Sequence, residues 1–404
     1  MTDTTASLDG NAIDFDAATP RRASWSAKTW LAMLAMLATS FALVSAEFLP
    51  AGLLTPMAAD LGISEGTAGQ VVTATALVGA ITALLSNVLI GTLNRKIVLV
   101  GLSALAVASN LLSAYATDFW LLLVCRAGLG IALSAFWALS MAVVVRIVGT
   151  KSMGRGVAMV SLGVSLATIA APSMGALVSD WIGWRHATAI TAGLAGFALL
   201  LQLISLPSLP ASGGNSLGDL ARLLRRPSIL FGMLAIIMLM GGHMTGSVYV
   251  RPFLEQITAL STGMIALALG GFGIAAVLGT IIAGRLADMD TRRTLALTAT
   301  IMALAALALV LWGTNIGAAF VFVTLWGLAF GMAPVSLQAN LSRSASDALE
   351  SAGSLMVVSF QVAITLGAII GGYVVDTYSA TTNMTLTAIL ATLTMLLALS
   401  QRRA

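Results

Sequence analysis

The sequence predicts an all-α polytopic membrane protein of twelve transmembrane helices, arranged as two pseudo-symmetric six-helix bundles. Three observations lead there. Of 404 residues, 58% are hydrophobic and 9% charged, against about 25% charged in a soluble globular protein. Such a chain cannot cover itself with polar surface. Its few charges are spaced so that long uncharged runs recur, and about 20 apolar residues cross a bilayer as a helix. One long polar interior segment divides those runs six and six.

The elements follow in order. Arg21, Arg22 and Lys28 precede an apolar run ending LVSA, which mimics a cleavable secretion signal. The polar lead also holds Asp3, Asp9, Asp14 and Asp16, and the run resumes beyond Glu47. It therefore reads as a retained first helix behind a polar cytoplasmic segment, 1–27. Uncharged runs at 29–46, 66–94, 97–117, 127–145, 156–179 and 187–218 give spans one to six. In the second half, 227–250 carries only His243, and 256–284, 351–375 and 377–401 are uncharged. The run 294–342 is too long for one helix and breaks at the turn-like WGTN, Trp312 to Asn315. The predicted units are a six-helix bundle at 28–206, a cytoplasmic linker at 207–228 rich in Pro, Gly and Ser, and a second bundle at 229–404.

Lysine and arginine set the orientation. With a cytoplasmic N-terminus, every basic residue except Arg126, Arg185 and Arg251 falls on an inside loop or end. Both termini are expected in the cytoplasm, and the basic balance reads as topology rather than nucleic-acid binding. A single cysteine, Cys125, excludes an intrachain disulfide and a CxxC motif. Two histidines make a multi-histidine metal site poor, so no metal and no cofactor are expected. No phosphate-cradling P-loop is present, which argues against direct driving by ATP. An enzyme in the membrane needs clustered catalytic groups, and one acid with one midspan histidine is poor material for that.

The two halves repeat. GRLADMDTRR, Gly284 to Arg293, follows span eight, and GTLNRK, Gly91 to Lys96, stands at the matching place after span two. Ala171, Pro172, Gly175, Ala176 and Asp180 in span five match Gly367, Ala368, Gly371, Gly372 and Asp376 in span eleven. Small residues at this spacing let helices approach closely in lipid, which nominates Pro172, Gly175, Gly371 and Gly372 for helix packing. Six-helix repeats with a site between them are a transporter architecture.

Here a resemblance enters. Gly284, Leu286, Ala287, Asp288, Arg292 and Arg293 resemble the signature loop of the major facilitator superfamily. RAGLG at Arg126 to Gly130 is similar to its helix 4 motif, with Leu129 where glutamine is usual. Ala158, Ala167, Ala171, Pro172, Gly175 and Ala176 follow the spacing of its helix 5 antiporter motif. EFLPAGLLTPMAADLGISEGTAGQ, FWALS, YVRPF and ESAGS with GGYVVD resemble the twelve-span drug:proton antiporter family, most closely its exporters of purine nucleosides and sugars. The likeness runs from about residue 25 to 400. It implies the superfamily's fold, a monomer, and a place in the bacterial inner membrane. It also implies proton-coupled export of small polar metabolites by alternating access, with purine ribonucleosides first. Sugars such as arabinose, or amphipathic drugs, are the alternative cargo. It implies a cytoplasmic gate at Gly284, Asp288, Arg292 and Arg293, and at Asn94 and Arg95. Asn94 departs from the family's aspartate, so gating between the halves is expected to be asymmetric.

Of the sixteen acidic residues, only Glu47 lies well within a span. It stands 19 residues past Lys28, roughly 28 Å of helix. Arg126 lies roughly 12 Å in from Asp118, and His243 roughly 24 Å up from Pro227. All three fall in the outer half, and the family fold puts their helices around the central cavity. Burial disfavours an ionised carboxyl and a nearby arginine favours it. A carboxyl held between the two can take a proton on one side and lose it on the other, so Glu47 and Arg126 are the candidates for proton coupling. A structural Glu47–Arg126 ion pair, or a Glu47 that reaches the interface, stays open. For cargo the candidates are His243, Trp137, Gln338, Gln361 and Asn87. Trp137 offers a stacking face, and the amides both donate and accept hydrogen bonds. Interhelical bonding is the competing reading for each of them, and Tyr249 and Trp326 read as structural.

Overall fold

The computed structural model describes residues 25–90, 93–149, 152–210, 222–344 and 349–400. Among them are fourteen helices and no strands. They are α1 Ala27–Phe48, α2 Pro50–Leu61, α3 Glu65–Ile90, α4 Arg95–Ala114, α5 Phe119–Val148, α6 Met153–Ile182 and α7 Trp184–Ser205. In the second half come α8 Pro227–Ser247, α9 Val250–Gln256, α10 Thr262–Met289, α11 Thr291–Trp312, α12 Ile316–Ser344, α13 Leu349–Thr377 and α14 Ala380–Ser400. All but α2 and α9 are long and apolar enough to cross a membrane, which makes twelve spans.

Local chemistry sets the helix ends. Ser26, Asn94, Asp118 and Asp290 each accept a main-chain N–H of the first turn they precede, satisfying an otherwise orphaned donor. Gly62 ends α2 with φ 64°, and Gly183 turns α6 into α7 with φ 92°, a backbone glycine tolerates without strain. The break expected at WGTN separates α11 from α12. Uncharged runs located the spans but misjudged their limits. α5 begins eight residues before 127, because Arg126 is tolerated inside the helix. α7 stops at Ser205, before Pro207, although its uncharged run continues to 218. The two short helices α2 and α9 were not foreseen. Residues 1–24, 91–92, 150–151, 211–221, 345–348 and 401–404 lie outside the described set, and these include Arg21, Arg22, Lys151, Arg402, Arg403 and half of the predicted linker.

The pairs of helices that pack closely are duplicated between the halves. In the first, α1 packs on α6 and α7, α4 on α5 and α7, and α3 on α5. In the second, α8 packs on α13 and α14, α11 on α12 and α14, and α10 on α12. The halves meet through α3 with α13 and α6 with α10, which are again equivalent positions. Small residues allow this. A Cβ built on Gly331 would lie 1.7 Å from the Ala276 carbonyl oxygen, and one on Gly279 would lie 2.1 Å from that of Leu328. The outward surface is apolar, with Ile204, Val124, Ile97 and Leu267 at 69% exposure or more, as expected where the solvent is lipid.

Candidate functional site

A cavity of about 1330 Å³ lies between the halves. It runs from Glu47, Phe48 and Val250 at one end to Arg95, Arg146, Leu341 and Ala352 at the other. Its wall is mainly apolar, and its polar groups include Glu47, His243, Gln338 and Gln361.

The end beyond Glu47 is closed by bonds between the halves. Arg251 donates through Nη1 to the Gly52 carbonyl and through Nε to Glu255, at 2.7 Å. Thr55 Oγ1 lies 2.7 Å from Glu255 and 3.2 Å from Glu65, and Gln256 donates to Glu65 at 3.1 Å. Asp376 accepts from Ser64 at 2.5 Å and from the Gly66 N–H at 2.9 Å. The Tyr249 hydroxyl lies 3.5 Å from the Gly66 carbonyl across the seam, and its shorter bond, 2.9 Å to the Ala368 carbonyl, stays within the second half. Midway along the cavity, Gln361 Nε2 donates to Ser134 Oγ at 2.8 Å. At the Arg95–Arg146 end, Lys96 Nζ donates to the Leu203 carbonyl at 3.2 Å and Arg146 to that of Pro210, both within the first half and the chain that follows it.

Glu47 sits on the penultimate residue of α1, half-buried, facing the cavity, and makes no hydrogen bond among the described residues. Arg126 departs from expectation. It is 4% exposed and lies off the cavity, behind α1. Both its terminal nitrogens donate to the Ala46 carbonyl at 3.0 Å, and its Nε has no partner. Among the described residues no direct ion pair joins it to Glu47.

His243 faces the cavity in α8, 1% exposed. Its ring stacks on Phe330 at 4.3 Å and 18°, with Trp326 edge-on at 5.5 Å and 76°. Trp137 and the exposed Gln338 line the same cavity. Gln361 is already committed to Ser134. The Asn87 side chain lies outside the described residues. Phe48, Phe272, Trp326 and Phe330 also line the cavity and were missed as site residues. The four-residue spacing of Trp326 and Phe330, which puts both on one helix face, was the available signal.

The loop residues divide. Asp288 is exposed and makes no hydrogen bond among the described residues. Arg292 donates to the Ala398 carbonyl at 3.0 Å and to that of Leu399. Arg293 pairs with Asp290 at 3.4 Å. Asn94 binds the chain that follows α7, through Ser208 Oγ at 2.7 Å and the Leu209 N–H at 3.1 Å. The Arg95 N–H adds a bond to the Leu209 carbonyl at 2.8 Å. Of the packing residues, Gly372 sits where a Cβ would meet Gln70, Tyr249 and Gly66, all within 2.8 Å. Gly371 abuts Tyr249 and Thr245, and Gly175 abuts Leu49. The Pro172 carbonyl lies against Gly52 of α2.

Two matched bundles of membrane-crossing helices around a central cavity define a membrane transporter of small molecules. The chain belongs to the Major Facilitator Superfamily, which it matches over residues 31–352 and 233–403. It is 35% identical to the purine ribonucleoside efflux pump NepI of Salmonella enteritidis over 374 residues, 93% of this chain and 94% of that one. The NepI of Salmonella typhimurium gives the same identity and coverage. Among solved structures it resembles the nucleoside transporter NupG, in a mutant form, with a TM-score of 0.74 at 16% identity over 92% of this chain and 98% of that one. A bacterial homologue of the human lysosomal transporter Spinster gives 0.72 at 14% identity, over 93% and 95%. At those identities the two structures speak for the fold alone.

Proposed function

We propose that the chain is a proton-coupled antiporter of the bacterial inner membrane, exporting small polar metabolites, purine ribonucleosides first. The observation that carries the reading is Glu47, an acid facing the central cavity just inside its closed end. An ionisable group at such a place in a membrane is expensive and is kept for function. The NepI relatives supply the cargo class.

The bias of lysine and arginine puts both termini, and the Arg95–Arg146 end of the cavity, in the cytoplasm. On that reading the cavity opens inward, and the bonds around Arg251 close it to the outside. The bundles 28–206 and 229–404 rock about the linker 207–228, as a monomer. Cargo enters from the cytoplasm as Glu47 loses its proton. When the cavity turns outward, Glu47 takes a proton from outside and cargo leaves. The loop residues Gly284, Asp288, Arg292 and Arg293 close the cytoplasmic end in that outward state. Asn94 and Arg95 instead hold the strap at 208–209, so the two halves gate unequally. The apolar cavity wall also favours amphipathic drugs as a second cargo class.

The test uses inside-out vesicles with an acid interior and a reporter of lumenal pH. Inosine is expected to raise lumenal pH, and Glu47→Gln to abolish the response with the protein still inserted. A full response in Glu47→Gln rejects the coupling role. A response to arabinose or ethidium without one to inosine rejects the purine cargo and keeps the antiporter.

A further inference from the structure

The second-half wall of the cavity holds three nearly parallel rings. His243 lies 4.3 Å from Phe330 and 6.2 Å from Phe272, at 18° and 16°, and Phe272 and Phe330 are 5.6 Å apart at 26°. Trp326 meets both His243 and Phe272 edge-on. Packing alone accounts for the rings but not for their nitrogens. Trp326 is 0% exposed and its Nε1 has no hydrogen-bond partner, and His243 Nδ1 is buried without one too. A buried polar group without a partner is costly, and the great majority in folded proteins have one. Here two stand in one wall, beside a stack of rings, on a cavity.

We propose that this wall is a subsite for the planar heteroaromatic ring of the cargo, read by Trp326 and His243. The inference rests on the nucleoside reading above and locates the base within the cavity. Trp326 Nε1 is a donor only, so it takes a ring nitrogen or carbonyl. The imidazole adds a donor or an acceptor, and the phenyl rings supply stacking faces. Phe330 lies over His243, so the incoming ring takes its place in the stack. Phe330 also meets Phe48 edge-on at 5.9 Å, and Phe48 is next to Glu47. Moving Phe330 therefore disturbs the end of α1 that carries the acid, which ties ring binding to the proton site.

The test is equilibrium binding to the purified full-length protein in detergent at pH 7, by calorimetry, with inosine and with ribose as the probe that lacks the base. Inosine is expected to bind, and ribose to fail at ten times the inosine Kd. Trp326→Phe and His243→Phe keep a ring and lose its nitrogens, and each is expected to raise the inosine Kd at least tenfold. Phe272→Leu, which removes a stacking face and no polar atom, checks the site independently should Trp326→Phe unfold. Wild-type Kd values in the folded variants, equal binding of ribose, or no binding of inosine by the wild type would each overturn the subsite. The vesicle assay reads the coupling proposal separately, so a wild-type protein that binds inosine but releases no proton loses the coupling role and leaves the subsite result readable.

Discussion

Arg126 holds the main-chain carbonyl of Ala46 with both terminal guanidinium nitrogens, each at 3.0 Å. The cause is four residues further on. In a continuous helix that carbonyl would receive the N–H of residue 50, and Pro50 has none. Ala46 is 0% exposed, so water does not replace the missing donor. The arginine fills the gap that the proline makes, where α1 gives way to α2 and beside Glu47.

A double-variant cycle tests this. Arg126→Leu leaves a buried carbonyl without a partner, a loss of about 1–3 kcal/mol. Pro50→Ala returns a main-chain donor and is expected to recover much of the loss when combined with Arg126→Leu. Unfolding midpoints in detergent for the two single variants and the double give the answer. Strictly additive losses would dismiss the relationship.

The same device recurs across the halves. Pro56 leaves the Gly52 carbonyl without its helical N–H, and Arg251 of the second half donates to it. Arg251→Leu is expected to loosen the closed end of the cavity. Ala51 lines the cavity there, so Ala51→Cys in a Cys125→Ser background reports the change. Labelling by a membrane-impermeant maleimide from the Glu255 side is expected to rise several-fold. Pro56→Ala, which satisfies Gly52 internally, is expected to raise it less. Unchanged labelling with Arg251→Leu rules out the latch.

Asp60, outside the spans, ties α2 to the start of α7. It accepts from Arg185 and, at 3.1 Å, from Trp184 Nε1. The Arg185 hydrogen bond, foremost, holds its carboxyl below the ordinary value of 3.8. A depressed native value stabilises the fold above the unfolded value, and the gain is lost as pH falls through the folded one. Asp60 is 44% exposed, so the gain is small, below about 1 kcal/mol. Asp60→Asn is expected to lower the unfolding midpoint at pH 7 and to converge with wild type in acid, below the folded value. An equal gap at both pH values would mean that charge is not the cause.

The spans and their pairing were legible because charge is so costly in lipid that its spacing outlines the helices. The repeat between Gly91 and Gly284, and between spans five and eleven, pointed to the duplicated packing. The roles of individual polar groups were less legible. Arg126 and Glu47 share a depth, which suggested a pair, but depth along a helix does not say which way a side chain turns. Pro50 and Pro56 were the missing clue, since each names the carbonyl that needs a donor. The aromatic wall stayed hidden because Phe272, Trp326 and Phe330 stand in uniformly apolar helices, where composition does not separate a lipid face from a cavity face. Asn94 looked like a weakened gate residue, whereas its side chain caps α4 and holds the strap at Ser208 and Leu209.

Two glycines of the second half separate packing from gating. A Cβ on Gly331 would stand 1.7 Å from the Ala276 carbonyl, so α10 and α12 would have to part. Main-chain atoms cannot swing aside as a side chain can, and Gly331→Ala is expected to cut the yield of folded protein severely. Gly284 faces the opposite situation, with nothing within 4 Å of an added Cβ. Gly284→Ala is therefore expected to leave the unfolding midpoint of this state within a few degrees of wild type. The proposed cytoplasmic gate makes a second demand on it, because Gly284 must approach the facing half when the cavity turns outward. Transport in Gly284→Ala is then expected to fall several-fold with inosine binding unchanged. Wild-type transport in that variant would remove Gly284 from the gate, and a large loss of stability would mean that the glycine already packs closely in this state.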